Sequence, residues 1–269
     1  SHHGFLDLRN PIHGIFISQA GDIHNTILRG YWPSLLTLGL FLVGTLYFAI
    51  TGASRSGRKR ALTISIICAF AAAQLLAEVY RGLAPYAYPV HGLRLILITL
   101  FSEGFGLSVA YHVFSTFKFQ RIWMILAGIA AVSLTAIAVS PGFDMKAAIA
   151  IIIPLTVSLV ATAALCFKRR PRAFSYFLSL FIFLAVNVAF PNRFLDVLFF
   201  YLVASFILFL FVEQGFALVR EAEQRRKEQA RAERLELALE QAKERDEATT
   251  INVTSAGKIE RVRTDQIAH

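Results

Sequence analysis

The feature that most constrains this chain is a series of apolar runs of about 20 residues each, separated by short connections. A helix of that length crosses the roughly 30 Å of hydrocarbon in a bilayer. Backbone amides in lipid must be satisfied internally, and runs without alternating polarity achieve this as helices and not as barrel strands. The sequence therefore predicts an all-α membrane protein, a seven-transmembrane helix bundle with spans at 31–50, 61–80, 93–114, 122–139, 145–167, 173–190 and 194–218.

The net charge of +9 predicts how these spans are oriented. Residues 220–269 contain 11 basic and 11 acidic side chains, so the whole excess lies before them and the tail carries no electrostatic footprint for nucleic acid. Three alternate connections, after spans one, three and five, contain ten basic residues and no acidic ones. The other connections contain Arg81, Arg94, Lys146 and Arg193 together with Asp144 and Asp196. Because basic loops stay in the cytoplasm, the N-terminus is expected outside and the C-terminus inside.

The tail after the last span divides into a helix and a β segment. Strong helix formers follow Gly215 up to Glu247 and extend the seventh span into a long cytoplasmic helix. A weak coiled-coil seam predicts a homodimer, with a solvated single helix as the alternative. Its positions are Leu218, Ala222, Arg225, Gln229, Ala232, Leu235, Leu239 and Ala242.

Beyond Thr249 the polarity alternates with period two around Ala256 and Gly257, which predicts a short β-hairpin. A hairpin this short is not stable alone, so we expect it to start a β-rich C-terminal domain. The expected organisation is an extracytoplasmic N-terminal segment (1–30), the transmembrane domain (31–219), a connector helix (220–248) and the beginning of that domain (249–269).

The run INVTSAGKIERVRTDQI, at 251–267, resembles the opening of a LytTR-type DNA-binding domain. That family begins with an apolar-x-apolar strand, a glycine turn, further apolar residues and an Asp-x-Ile step. The resemblance lies within the last 19 residues and implies a membrane-bound transcription regulator whose partner is DNA. The DNA-contacting positions of the family would follow His269, so none is assigned here. The overall plan is similar to that of bacterial seven-helix sensor receptors, which implies a multi-pass protein of the bacterial inner membrane.

Polar side chains within the spans are candidate ligand-binding residues, because burying them in lipid is costly. Glu103 lies near the middle of the third span, beside Ser102, Gly104 and Gly106, and small neighbours permit close helix packing. The other candidates lie toward the outer ends of their spans and are Gln74, Glu78, Asn187, Arg193 and Asp196. We expect an outward-facing pocket for an unknown small molecule or membrane ligand, with Glu78, Glu103 and Asp196 as anchors.

Structural roles for the same residues are the alternative. Glu78 would then pair with Arg81 or Arg94 at the interface. Asp196 would pair with Arg193 or stabilise a helix N-terminus. Glu103 would serve as a hydrogen-bond partner between helices.

The sequence predicts neither a metal nor a cofactor nor an enzyme. His2, His3, His13 and His24 match no compact metal site, and His112 is expected to be a helix-packing donor. A phosphate loop, a catalytic triad and paired catalytic carboxylates are all absent from the sequence. The function expected is a sensor that regulates transcription. A histidine kinase or nucleotide cyclase output is the alternative, followed by a transporter, for which Pro154 is the only sign of a broken helix.

Overall fold

The computed structural model describes residues 23–53, 58–83, 88–189, 197–248, 250–255 and 258–263. Within them the chain forms seven helices and two strands. The helices are α1 (Ile23–Ala53), α2 (Arg58–Leu83), α3 (Tyr88–Thr116), α4 (Ile122–Val139), α5 (Phe143–Phe167), α6 (Ala173–Ala189) and α7 (Val197–Ala248). Six of them are long and apolar enough to cross a membrane, and α6 is a shorter apolar helix of 17 residues. The predicted helical architecture is thereby confirmed, and six of the helices could span a membrane.

Four helices begin earlier than the apolar runs predict, α2 by three residues and α5 by two. Helix α1 starts at Ile23, so the predicted boundary between the N-terminal segment and the first span, at residue 30, moves eight residues toward the N-terminus. Helix α3 starts at Tyr88 instead of residue 93. The physical reason is that hydropathy marks where a segment becomes apolar, whereas the helical hydrogen bonds continue into polar sequence until something stops them. The remainder of the predicted N-terminal segment, 1–22, lies outside the described residues.

Helix α3 is the central element of the first compact unit, which comprises residues 1–213. It packs against α2, α4 and α5, and its His112 reaches Tyr176 of α6. Two glycines permit these approaches, as the sequence predicts. A Cβ on Gly104 would lie 2.5 Å from the ring of Phe70 in α2, and one on Gly106 would lie 2.8 Å from the carbonyl oxygen of Ala150 in α5.

Aromatic rings connect the first part of α7 to the rest of this unit. Phe211 packs edge-on against Phe48 of α1, with ring centroids 4.4 Å apart. Phe209 meets Tyr176 of α6 at 5.3 Å in the same geometry. Edge-to-face pairs align the positive edge of one ring with the negative face of the other, and they add to the packing.

The α3–α4 and α5–α6 loops share an unusual backbone geometry. Lys118 and Arg121 in the first loop, and Arg169 and Arg172 in the second, have φ between 50° and 67°. A left-handed conformation costs a residue with a side chain roughly 1–2 kcal/mol. Lys118 and Arg169 each follow a helix C-terminus, where a cation is favoured by the helix dipole. These loops, together with the start of α2, form what we call the basic end of the bundle.

The second unit comprises residues 214–269. Side chains from 222 to 244 along α7 are exposed, including Leu235, Leu237 and Leu239. Where the sequence alternates with period two, β1 (Thr250–Ser255) pairs antiparallel with β2 (Lys258–Arg263), and Ser255 lies opposite Lys258. Residues 256–257, at the expected glycine turn, are outside the described residues.

The close approach of α3 and α5 generates the first prediction. Gly106→Ala should destabilise the bundle by about 1–3 kcal/mol, because the added methyl group meets the backbone of Ala150 and the ring of Pro154. Gly128→Ala is the matched control: its Cβ meets nothing within 4 Å, and alanine favours a helix over glycine by about 1 kcal/mol. Unfolding by SDS titration in mixed micelles measures both. Equal stabilities for the two variants would contradict the tight α3–α5 contact.

Candidate functional site

Arg94, which the sequence indicates only as a loop cation and a possible partner of Glu78, is the most deeply buried Lys or Arg side chain among the described residues. It lies one turn and a half into α3, and only 3% of it is exposed. Its Nη1 group donates hydrogen bonds to the carbonyl oxygens of Ala77 (3.1 Å) and Glu78 (3.3 Å) in α2. The same nitrogen lies 3.6 Å from the Glu78 Oε2 atom. One side chain thus ties the start of α3 to the end of α2 by two hydrogen bonds and an ion pair.

This arrangement bears on the structural alternative for Glu78. Its carboxylate pairs with Arg94, as the structural alternative proposed, and the side chain of Arg81 is not among those described. A buried charge pair is stable only when its geometry is good and its remaining hydrogen-bonding groups are satisfied. Arg94 does not fully meet that condition, because its Nε and Nη2 groups have no hydrogen-bond partner among the described residues.

Two further polar side chains belong to the same end of α2 and α3. Gln74 lies one turn before Glu78 and is 1% exposed, and its Nε2 group has no hydrogen-bond partner in the described part of the chain. His91 lies one turn before Arg94 and is also buried. Together Gln74, Glu78, His91 and Arg94 form what we call the α2–α3 polar cluster. The N–H groups of Gln74 and Arg94 that have no hydrogen-bond partner among the described residues are donors, so the cluster suits a ligand that offers acceptor oxygens.

His91 is a member that the sequence reasoning missed. The predicted third span began at residue 93 and so left His91 in a loop. The signal was present in the spacing, because residues three apart on a helix lie on the same face, and His91 precedes Arg94 by three.

Glu103 makes a separate contact toward α4. Its Oε1 atom accepts a hydrogen bond of 2.8 Å from the Ser133 hydroxyl, and its Oε2 atom has no hydrogen-bond partner among the described residues. Ser133 also lies 2.7 Å from the carbonyl oxygen of Ile129, so its single hydrogen is shared between two acceptors. Nine residues, about 14 Å of helix, separate Glu103 from Arg94. The interhelical hydrogen bond that was the alternative for Glu103 is present, and its carboxylate does not join the α2–α3 polar cluster.

The remaining candidate ligand-binding residues are Asn187, Arg193 and Asp196. Asn187 is buried, and its Nδ2 group donates to the Phe183 carbonyl oxygen one turn earlier at 2.7 Å. This bond satisfies the amide within its own helix. Arg193 and Asp196 lie outside the described residues, so their part in an outward-facing pocket stays a prediction.

His112 is a packing residue, as expected. Its Nε2 atom lies 3.1 Å from the Tyr176 hydroxyl, and the two rings are stacked with centroids 6.0 Å apart. The contact joins α3 to α6 in the buried core. Among the described residues, no group of three or more His, Cys, Asp or Glu side chains is arranged to hold a metal ion.

Comparisons with models of protein families, with curated proteins and with solved structures found no match.

The second prediction concerns the α2–α3 polar cluster. Arg94→Met should destabilise the bundle by about 3 kcal/mol, because it removes both carbonyl hydrogen bonds and leaves the Glu78 carboxylate without this cation. Glu78→Gln should cost less, about 1 kcal/mol, since the bonds from Arg94 to the backbone remain. The measurement is the free energy of unfolding in mixed micelles.

The matched control is Arg170→Met, which removes an exposed arginine at the basic end. It should change stability by no more than about 0.5 kcal/mol. If Arg94→Met costs no more than this control, the cluster does not hold α2 and α3 together.

Proposed function

We propose that this chain is the sensing part of a membrane receptor that regulates transcription without catalysing a reaction. In this proposal the helix bundle detects an extracytoplasmic or membrane-borne cue. Helix α7 passes the signal to a cytoplasmic LytTR-type DNA-binding domain that starts at the β1–β2 hairpin. The resemblance at 251–267 supports the DNA-binding output.

The observation that carries this proposal is the length of α7. One continuous helix of 52 residues runs from an apolar segment at Val197 to Ala248, two residues before β1. A shift in a membrane receptor must reach its output through a physical connection that has two arrangements. An uninterrupted helix supplies the continuous part of such a connection, because its backbone hydrogen bonds resist local bending.

The proposed topology has seven crossings in the bacterial inner membrane, with the N-terminus outside and the C-terminus in the cytoplasm. Its support is the charge asymmetry. Arg94 and Lys146 are buried within α3 and α5, so two of the basic residues opposite the basic end are not loop charges. The asymmetry that supports this orientation is therefore larger than the sequence count indicates. At 17 residues, α6 is at the lower limit of about 17 for a crossing helix.

The proposed ligand is a small molecule or membrane component that carries acceptor oxygens. Two N–H groups of Arg94 and the amide of Gln74 would bind it, since these buried donors lack hydrogen-bond partners among the described residues. In the proposed orientation this end of α2 and α3 faces outward. Arg193 and Asp196 would contribute to the same pocket from the α6–α7 connection.

The alternatives would produce a different output. A histidine kinase or nucleotide cyclase would turn over a nucleoside triphosphate. A transporter would move a solute and would need interrupted helices, whereas α5 continues through Pro154 without a break.

The third prediction tests the DNA-binding output on the parent protein, the chain with whatever follows His269. After formaldehyde cross-linking of cells and affinity purification of membranes, the parent protein should enrich discrete genomic sites. A variant ending after residue 248 should lose them, because the proposed domain begins beyond that residue. Purified parent protein should incorporate no phosphate from ATP and form no cyclic nucleotide. Nucleotide turnover without enriched sites would replace the transcription proposal with an enzymatic output.

The fourth prediction tests the homodimer along α7. In a Cys68→Ala, Cys166→Ala background, Ala232→Cys should form disulfide-linked dimers several times more efficiently than Ala230→Cys. The two alanines are both exposed and lie two residues apart, about 200° around the helix. Only Ala232 belongs to the seam. Equal yields at the two positions, or no dimer at either, would contradict pairing along this seam.

A further inference from the structure

A second candidate site lies at the basic end of α2 and α3, opposite the α2–α3 polar cluster. The structure has a groove of about 640 Å³ between α2 and α4, and α3 forms its floor. This volume is within the ~300–1,000 Å³ of pockets that hold small molecules. Lys59, Thr63, Ser108, Tyr111 and Trp123 supply its polar and aromatic lining, and the rest is apolar, from Leu62, Ile66, Leu107, Leu126, Ala127 and Ala130.

The groove exists because α2 and α4 both pack against α3 and are not among the helix pairs that pack closely with each other. Small side chains on α4, Ala127 and Ala130, keep the space open. Along α2 the lining runs from Lys59 to Ile66, about 10 Å of helix at 1.5 Å per residue. The space is therefore a largely apolar groove that follows the helices, and it can hold part of a hydrocarbon chain.

One end of the groove is polar, aromatic and positively charged. Tyr111 and Trp123 face each other there, with ring centroids 5.5 Å apart, and such rings are enriched at the level of lipid head groups. Lys59 lines the same end, and its ammonium group makes no ion pair with the described residues. The sequence contains no Asp or Glu from 54 to 77 or from 104 to 143, the segments that form this region.

We propose that this groove binds one molecule of an anionic phospholipid. The phosphate group pairs with the Lys59 ammonium beside Tyr111 and Trp123, and an acyl chain lies along Leu62, Ile66 and Leu126. Charge complementarity selects an anionic lipid, since the region has basic residues and no acidic ones. An acyl chain suits the lining because its apolar walls offer few hydrogen-bonding groups to a polar ligand. This site stands independently of the proposed transcriptional output.

The fifth prediction is measured on the full chain by native mass spectrometry after titration with phosphatidylglycerol or phosphatidylcholine of equal chain length. Phosphatidylglycerol should bind more tightly. Lys59→Gln should lower its affinity by about fivefold, the factor that corresponds to roughly 1 kcal/mol per basic residue near a membrane surface. Lys118→Gln is the matched control, because Lys118 is an exposed cation of the same end and does not line the groove.

Filling the groove tests the acyl-chain part. Ala130→Phe should lower phosphatidylglycerol binding more than tenfold, while Ala138→Leu on the exposed surface of α4 should leave it unchanged. Inorganic phosphate at millimolar concentration should not compete, since it lacks the chain. Unchanged binding in Ala130→Phe would overturn the site. Equal affinity for the two lipids, or equal effects of Lys59→Gln and Lys118→Gln, would overturn the recognition of an anionic head group.

Discussion

Each polar hydrogen of a chain in hydrocarbon needs an acceptor from the protein itself, and this constraint governs the structure at two levels. At the level of the backbone it requires helices, because only intrahelical bonds satisfy isolated segments. At the level of side chains it turns hydroxyl groups back onto their own helices. Thr37, Thr45, Ser102, Ser158 and Ser205 each donate to the carbonyl oxygen four residues earlier, at 2.8–2.9 Å. A hydroxyl that bonds only in this way does not direct how helices pair. Ser65, which donates to the Thr45 carbonyl oxygen in α1, and Ser133, which also reaches Glu103, are exceptions.

Helix pairing therefore depends on the few polar groups that reach beyond their own helix, and on small residues. Arg94, Glu103 and His112 are spaced along α3 and reach α2, α4 and α6 in turn. Between them, Gly104 and Gly106 allow α2 and α5 to approach. Lipid tails are as apolar as leucine, so interhelical hydrogen bonds and close packing replace the hydrophobic effect as the source of specificity. This is the physical reason that α3 occupies the centre.

The sequence predicts the helices well and their contacts poorly. Apolar runs located all seven helices, because hydrocarbon imposes length and composition on a span. The ends were less accurate, as Ile23 and Tyr88 show, because a helix continues past the apolar part of its sequence. Spacing also suggested that Glu78 pairs with a nearby arginine. The Ser133 partner of Glu103 and the groove between α2 and α4 depend on how α4 is rotated and how far it stands from α2, and a hydropathy profile carries neither quantity.

The two sites proposed for this chain would act on the α2–α3 helix pair from opposite ends. At one end Arg94 binds the last turns of α2, so a ligand that competes for its donors would loosen or tighten α2 against α3. At the other end, the groove is lined by α2, α3 and α4, so a bound lipid would contact both helices of this pair. Between them the contact of Phe70 with Gly104 leaves no room for α2 to approach further. A tight contact in the middle of two packed helices favours tilting over sliding, since tilting preserves that contact while changing the distances at both ends. Under the proposed function, a cue at the α2–α3 polar cluster and the anionic lipid at the basic end would then bias one equilibrium. By linkage each would alter the affinity for the other.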